Sequence, residues 1–244
     1  MGTSLHAFTN EQLEEVFPNP AVREVAFEIR FPPRLRVNAE LWRFQDHLAE
    51  EYPNPDSEAV LMPPSAAPIN VSVFQSPATG RTVKVSQQNF VLAFTRYTCF
   101  EDFKAEVLAK TRVFCETFEV KSLTRVGLRY VNEIILPTGE DRASMLRFVR
   151  PIIDFSRVGI ESVEEFFTQI RIRHRNHMVL LRSVTLPDSE RRNRAYVLDI
   201  DCHSQGALPF GSLESVLDEY HDTAQRYFLD HITEEFKNKM RGAR

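Results

Sequence analysis

The sequence has few glycines, and this shortage removes several classes of function. Only 8 of the 244 residues are Gly, and none stands in a GxGxxG or GxxxxGK[ST] arrangement. Because such loops bring backbone N–H groups against phosphates, their absence argues against a dinucleotide-binding fold and a P-loop NTPase. No GxSxG occurs either, so the nucleophile turn of the α/β-hydrolases is not expected.

Cysteine is also scarce. The three cysteines, Cys99, Cys115 and Cys202, stand singly in apolar contexts without CxxC spacing. We therefore expect neither a disulfide framework nor a structural zinc site, and we predict three unpaired, mostly buried thiols. The only HxxH pair, His174 and His177, falls at a predicted hairpin turn rather than on a helix, which disfavours a zincin.

Long apolar runs are missing too. The longest ones, such as Phe90–Phe94, are far shorter than the ~20 residues that span a bilayer. The N-terminus has no basic region followed by an apolar core, and His6 stands where a myristoylation signal has Ser or Thr. The sequence therefore predicts a cytoplasmic protein that has no membrane partner.

Lysine is rare compared with arginine. Of the 30 basic residues 24 are Arg and 6 are Lys, and the formal net charge is -4. This charge argues against a protein that coats nucleic acid by bulk electrostatics. Arginine presents a planar set of donors that holds carboxylates and phosphates in a fixed geometry. The arginines are therefore predicted to serve internal ion pairs or an anionic ligand.

Hydrophobic residues make up 43% of the chain and charged residues 26%, which is typical of a globular protein. Residues 53–68 contain five prolines, which predict a segment without regular structure. The periodicity elsewhere predicts four helices, at Thr9–Phe17, Leu41–Tyr52, Phe100–Phe118 and from Leu213 onward with a break near Thr233. Alternation after Pro20 predicts a first strand with Val25, Phe27, Ile29 and Phe31 on one face. Further strands are predicted at Asn70–Ser76, Arg81–Ser86, Phe90–Thr95, Leu123–Ile135, Phe166–Arg175, Met178–Leu186 and Ala195–Cys202.

Together these elements predict an α+β fold: antiparallel meander sheets with amphipathic helices packed on one face and a long C-terminal helix. The chain is predicted to form a single compact domain. An alternative is two halves, with residues 19–137 forming a βαββαβ-like half and residues 144–244 a βββα-like half. Residues 1–18 then form an N-terminal helical extension.

Several segments resemble a known family. They are Asn19–Phe31, the aromatic helix that ends at Tyr52-Pro53, the run Val126–Asn132 and the helix end at Ile232-Thr233. Together they resemble a sporadically distributed family of prokaryotic proteins of unknown function, and the resemblance covers the chain from Asn19 onward. It implies one cytoplasmic module of the kind found as accessory proteins of host-defence loci. It supplies no catalytic residues.

The strongest candidate site is a charged sheet face. Side chains two residues apart on a strand share a face, which aligns Arg171, Arg173 and Arg175 on one predicted strand. Asp199, Asp201 and His203 align in the same way on the strand that ends the meander. The parity of the intervening hairpin places Arg182 on the same face as Arg171. Arg125 and Arg129 repeat this pattern on the strand Leu123–Ile135.

Two interpretations of this face stay open. In the first, the face is exposed to solvent and carries cross-strand Arg–Asp pairs worth ~0.2–1 kcal/mol each. In the second it is an anion or metal–phosphate site, with Asp199, Asp201 and His203 as ligands of a hard cation and the arginines as phosphate clamps. The basic loop Glu190–Arg194 is interpreted as a solvated hairpin tip.

The predicted function follows from these interpretations. It is a non-enzymatic binding or scaffold component, without a cofactor, that acts with a protein partner or as a homo-oligomer and recognises a phosphate-bearing ligand. Nucleic acid is left open as a ligand. The alternative is a metal-dependent phosphohydrolase or nucleotidyl enzyme with a divalent metal, because the charged strands are similar to those of triphosphate-tunnel enzymes. The ExExK pattern of that family is incomplete here, since it needs Glu at position 26, where this chain has Ala26, and one metal-binding carboxylate is therefore missing.

Overall fold

The computed structural model describes residues 8–9, 13, 15–60, 69–136, 144–155, 159, 163, 165–186 and 195–242. The strands in this part of the chain are β1 (Val22–Arg30), β2 (Asn54–Val60), β3 (Ile69–Ser76), β4 (Arg81–Val85), β5 (Asn89–Phe94), β6 (Leu123–Ile135), β7 (Phe167–His174), β8 (His177–Leu186) and β9 (Ala195–Leu208). The α-helices are α1 (Arg36–Ala39), α2 (Leu41–Leu48), α3 (Phe100–Phe118), α4 (Met145–Phe148), α5 (Leu213–His231) and α6 (Glu234–Met240).

The strands form an antiparallel sheet in the order β2-β3-β4-β5-β1-β6-β9-β8-β7. Strands β2 to β5 follow one another as a meander, and β7 to β9 form another. The sheet is not closed, and β2 and β7 are its end strands. The predicted α+β class, with antiparallel meanders and a long C-terminal helix, is therefore confirmed.

The described residues divide into two units. Unit 1 takes in those within 1–23, 129–202 and 219–244, and unit 2 takes in Glu24–Leu128 and His203–Asp218. In unit 2 the apolar face of β1 is fully buried, as its alternation predicts. The Phe114 ring of α3 lies 5.5 Å from the ring of Phe31, which continues this face just after β1, and 5.4 Å from the Phe44 ring of α2. Helices α2 and α3 therefore cover this apolar face.

The prediction that residues 53–68 lack regular structure is wrong for their first part. Residues Asn54–Val60 form β2, which pairs with β3. Pro55 lies inside this strand opposite Phe74. An end strand tolerates proline because the missing N–H faces no second neighbour. Residues 61–68 lie outside the described part of the chain.

The C-terminal helix ends where its sequence predicts. In α5 the side chains of Tyr220 and Tyr227 are buried, with 1% and 6% of their surface exposed. Thr233 then begins α6, and its hydroxyl accepts a hydrogen bond from the backbone N–H of Phe236 at 3.3 Å. This side-chain cap satisfies one of the free N–H groups at a helix start. The predicted break near Thr233 is thus confirmed.

Other element bounds differ from the predictions in places. The bounds of α3 and β6 are as predicted, whereas β9 continues past Cys202 to Leu208. The N-terminal helix was predicted to reach Phe17, but Leu13 is helical and residues 15–17 are not. The predicted capping box depends on residues 10–12, which lie outside the described part of the chain, as does the loop at 190–194.

The helices and the cysteines bear on two predictions from composition. Among the described residues, no helix is both long enough and apolar enough to span a membrane. All three cysteines are free, and Cys115 and Cys202 are buried, which confirms the prediction of unpaired thiols. Burial raises the pKa of the Cys115 thiol to about 12 and raises that of Cys202 as well. Neither thiol is therefore available as a thiolate nucleophile near neutral pH.

Candidate anion-binding face

Asp199 lies at the centre of the charged face in unit 1. Arg129 on β6 donates from Nε to Oδ1 of Asp199 at 2.7 Å and from Nη2 to Oδ2 at 2.9 Å. Arg182 on β8 donates from Nη1 to Oδ2 of the same carboxylate at 2.9 Å. The Asp199 residue is 6% exposed, so the two guanidinium groups supply hydrogen bonds that water would otherwise make.

The strand register explains why Arg182 reaches this carboxylate. Arg182 pairs with Gln169 across the β7–β8 hairpin, and its Nε donates to Oε1 of Gln169 at 3.0 Å. Opposite residues of an antiparallel pair share a face, so Gln169, Arg171 and Arg173 lie on the Arg182 side. The predicted parity of Arg182 and Arg171 is therefore confirmed. We call Arg129, Gln169, Arg171, Arg173, Arg182 and Asp199 the arginine face.

Arg171 and Arg173 differ from the other members of the arginine face. Both side chains are exposed, opposite Leu180 and Met178 of β8. Among the described residues, neither guanidinium makes a hydrogen bond or an ion pair, whereas Arg129 and Arg182 are held by Asp199. The arginine face therefore contains two arginines that share one carboxylate at its centre and two arginines that remain available at its edge.

Arg175 is not part of this face, although it was predicted to end the strand. Strand β7 ends at His174, which pairs with His177, so Arg175 and Asn176 form the turn. The Arg175 backbone has φ of 49°, in the left-handed region that residues with a Cβ rarely adopt. The turn falls one residue before the predicted position, Asn176-His177, because His177 is already part of β8 and pairs with His174.

Arg125, another predicted ligand residue, belongs to unit 2. Its Nη1 donates to Oε2 of Glu28 on β1, and Arg30 Nε donates to Oε1 of the same residue at 2.8 Å. Gly127 makes room for the Arg125 guanidinium, because a Cβ built at Gly127 would lie 2.5 Å from Nη1 of Arg125. Arg125 thus serves an ion pair inside its own unit.

The predicted metal ligands Asp199, Asp201 and His203 stand at alternate positions of β9. Both carboxylate oxygens of Asp199 accept hydrogen bonds from arginine, and the two guanidinium cations oppose the approach of a metal cation to that carboxylate. Within the described ranges, no group of three or more His, Cys, Asp or Glu side chains is arranged to hold a metal ion. Metal binding by these three residues stays a prediction.

Sequence reasoning missed a histidine cluster on the opposite side of the β7–β8 hairpin. The ring of His177 lies 4.9 Å from Tyr220 and 5.2 Å from His174. His177 is 3% exposed, and its Nδ1 lies 3.4 Å from Oε1 of Glu219 without hydrogen-bond geometry. Within the described part of the chain, neither ring nitrogen has a hydrogen-bond partner. The signal in the sequence was hairpin parity, which places both histidines on the core face once the turn is known.

Burial sets the protonation of this histidine cluster. Desolvation lowers the pKa of His177 below its usual value, and the nearby Glu219 carboxylate partly opposes this effect. Desolvation also lowers the pKa of His174, with a smaller contribution from Arg175. Both rings therefore favour the neutral form, which suits a packed core better than a general acid.

Comparison with known proteins adds no family to this description. Neither a protein-family model nor a curated protein sequence matches the chain. The resemblance to the sporadically distributed prokaryotic family therefore stays a prediction.

Proposed function

We propose that this protein is a non-enzymatic binding component that recognises an anionic partner through the arginine face. The observation that carries the proposal is the state of Arg171 and Arg173, which are exposed and, among the described residues, without a carboxylate partner. On the resemblance described above, the protein acts in the cytoplasm of a prokaryote as an accessory part of a multi-protein system.

The geometry of Arg171 and Arg173 suits this role. Two residues apart on one strand, their Cα atoms lie ~6.4–6.8 Å apart on one face. Each guanidinium offers a planar set of donors that can bind a carboxylate or phosphate through two hydrogen bonds. Because no internal ion pair has to be broken first, an arriving anion gains both contacts without that cost.

The open sheet favours binding over the alternative of a metal-dependent phosphohydrolase. Triphosphate-tunnel enzymes, which the charged strands resemble, hold substrate inside a closed barrel. Here the sheet is not closed, and the available arginines face solvent. The carboxylate of Asp199, which would have to bind a divalent cation, already accepts hydrogen bonds from Arg129 and Arg182.

The test is a titration of the protein with tripolyphosphate, nucleotides and an acidic peptide, with and without Mg²⁺. Loss of a charge-assisted contact costs ~1.5–3 kcal/mol, so Arg173→Ala should weaken binding of the anion by about tenfold or more. Arg112→Ala is the matched control, because Arg112 is an exposed arginine of α3 without a described ion pair. Equal affinity of both variants and the wild type would contradict the proposal.

The variant Asp199→Asn distinguishes anion binding from the alternative of a metal-dependent enzyme. If Asp199 is a structural counter-ion, this variant frees part of the positive charge of Arg129 and Arg182, and anion binding is kept or strengthened without metal. If Asp199 is a metal ligand, as the enzyme alternative requires, the variant abolishes every metal-dependent effect. Far-UV circular dichroism of each variant checks that the fold is intact.

A further inference from the structure

The arginine face ends at the outer edge of β7, the edge that faces away from β8. Strand β7 ends the sheet, and no strand among the described residues pairs with its outer side. Next to the strand, the backbone N–H of Thr185 donates to the carbonyl oxygen of Phe166 at 3.2 Å, in the same register as the His174–His177 pair. In an antiparallel ladder, successive residues point their backbone groups to opposite sides. The backbone N–H and C=O groups of the even-numbered residues of β7 therefore bond β8, and those of the odd-numbered residues point away from β8, toward the outer edge.

The outward backbone groups coincide with the available arginines. The odd-numbered residues of the strand are Phe167, Gln169, Arg171 and Arg173. On the other face of the strand, Ile170 is 38% exposed and Ile172 is half-buried, because β8 is the one described strand beside β7. The edge thus offers N–H and C=O groups that no described part of the chain pairs with, an alternation of arginine and isoleucine, and no proline in the strand. The unpaired backbone groups and the lack of proline favour the addition of another strand, and the charge of the arginines restricts it to a strand of opposite charge.

We propose that the β7 edge binds an extended acidic polypeptide segment as a further strand of the sheet. In this arrangement, acidic residues at alternate positions lie opposite Arg171 and Arg173, and apolar residues between them lie over Ile170 and Ile172. The inference rests on the proposed function and adds to it the chemical class of the partner and the way in which it binds.

The positive charge of β7 favours an acidic segment over a second copy of the chain as the partner. Pairing of two β7 edges would place the arginines of the two copies opposite one another, and like charges directly across a sheet are destabilising. An acidic segment removes this repulsion and replaces it with two cross-strand ion pairs. A nucleic-acid phosphate could also contact the arginines, but it would leave the outward N–H and C=O groups of β7 without partners.

The test uses three labelled peptides and fluorescence anisotropy with the full-length protein. The first alternates Glu and Val over six residues, the second has the same composition with three Glu followed by three Val, and the third alternates Lys and Val. We expect the alternating acidic peptide to bind at least about tenfold more tightly than the block peptide, because only it places every carboxylate on one face. Arg171→Glu and Arg173→Glu should each weaken its binding by about tenfold or more, and Arg112→Glu should leave it unchanged.

Methylated peptides test the backbone contacts. If the peptide adds as an antiparallel strand, like every strand pair of this sheet, the residues opposite Arg171 and Arg173 point their N–H groups at β7. N-methylation of the Glu residues should then abolish binding, and N-methylation of the Val residues should not. The double variant Arg171→Glu/Arg173→Glu should prefer the Lys–Val peptide. This reversal would support the inference even if both single variants lose some stability.

The remaining outcomes overturn the inference. If all acidic peptides bind equally regardless of order and methylation, yet depend on Arg171 and Arg173, the proposed function stands and strand addition is wrong. An oligonucleotide that binds more tightly than the alternating peptide and is lost in the same variants would identify nucleic acid as the partner. Sedimentation of a wild-type dimer that Arg171→Glu disrupts would identify a second copy. Absence of binding by every anion would refute the proposed function as well.

Discussion

Gly127 leaves the space that the Arg125–Glu28 ion pair occupies. The Arg125 guanidinium lies over the backbone of residue 127 and reaches Glu28, and both of these charged side chains are largely buried. Glycine usually weakens a strand, because it has no side chain to pack and more conformational freedom to lose. In β6 this cost is offset by the partly buried Arg125–Glu28 pair that the absent Cβ permits.

Gly127→Ala should therefore destabilise the protein. The new methyl group displaces the Arg125 guanidinium and disrupts its bond with Glu28, a loss of ~1–3 kcal/mol that the lower entropy of the unfolded chain offsets by ~0.4–1 kcal/mol. Urea denaturation measures the difference. In an Arg125→Ala background the clash is gone, so Gly127→Ala should be neutral or stabilising there. A similar loss in both backgrounds would show that backbone strain, not the ion pair, is responsible.

His177 links the stability of the protein to pH. Its folded-state pKa is lowered by burial, whereas an unfolded histidine titrates near ~6.5. As the pH falls below ~6.5, the unfolded chain binds a proton that the folded chain resists, so the free energy of unfolding decreases until the folded pKa is reached. The groups facing the ring are Glu219, which opposes this shift, and His174 and Arg175, which reinforce it.

His177→Gln should flatten this pH dependence. Its free energy of unfolding, measured in urea between about pH 7.5 and pH 5, should fall less steeply than that of the wild type, because one titrating group is removed. Part of the slope should remain, since burial also lowers the pKa of His174 and His231. An unchanged slope would mean that His177 is protonated equally in the folded and unfolded states.

At the scale of elements, α5 contributes to the core through its apolar stripe. Leu213 and Leu217 are 3% and 0% exposed, and Tyr220 and Ala224 continue the stripe. A helix with this pattern gains most of its stability from packing rather than from its own propensity. The helix is therefore a structural element, and an exposed partner arm would not bury these side chains.

Leu217→Ala tests this role. Removal of a fully buried leucine side chain typically costs ~2–5 kcal/mol, so the variant should unfold at a clearly lower urea concentration. Leu35→Ala is the matched control, because Leu35 is 76% exposed and the same substitution should change stability by less than ~0.5 kcal/mol. Equal small effects at both positions would indicate that α5 is dispensable for the fold.

The two end strands of the sheet differ in how they are protected. In β2, Pro55 lacks a donor, and Asp56 and Glu58 add negative charge. In β7 there is no proline, and Phe167 is 64% exposed. Charged residues on an edge prevent pairing between copies. Arg171 and Arg173 are thus expected to protect β7 until an acidic partner binds.

At the scale of the whole molecule, this protection predicts the oligomeric state. Arg171→Ser/Arg173→Ser should self-associate at lower concentration than the wild type, because the repulsion between two β7 edges is removed. Sedimentation velocity over a range of concentrations measures the effect, and Arg112→Ser controls for the general loss of positive charge. If the double variant sediments like the wild type at every concentration, the arginines do not protect the edge.

Much of the fold was predictable because its signals are local. The period of apolar residues alone predicted α3 and β6 with their correct bounds. Parity, which depends only on the length of a hairpin, placed Arg182 on the same side as Arg171. Strand β2 was missed because a proline forbids a central strand but is tolerated at a sheet edge, and edge position is not a property of the segment itself.

The sequence by itself determined which residues share a face, since side-chain direction repeats every two residues in a strand and every 3.6 in a helix. It also determined the scarcity of lysine and the abundance of arginine, and so the kind of anion contact that is available. Only the tertiary structure decided which arginines bond a carboxylate. Asp199 holds Arg129, which is 70 residues away in the chain, and leaves Arg171 and Arg173 at the open edge. Charge pairing depends on which strands become neighbours, and that order comes from long-range packing rather than from any local pattern.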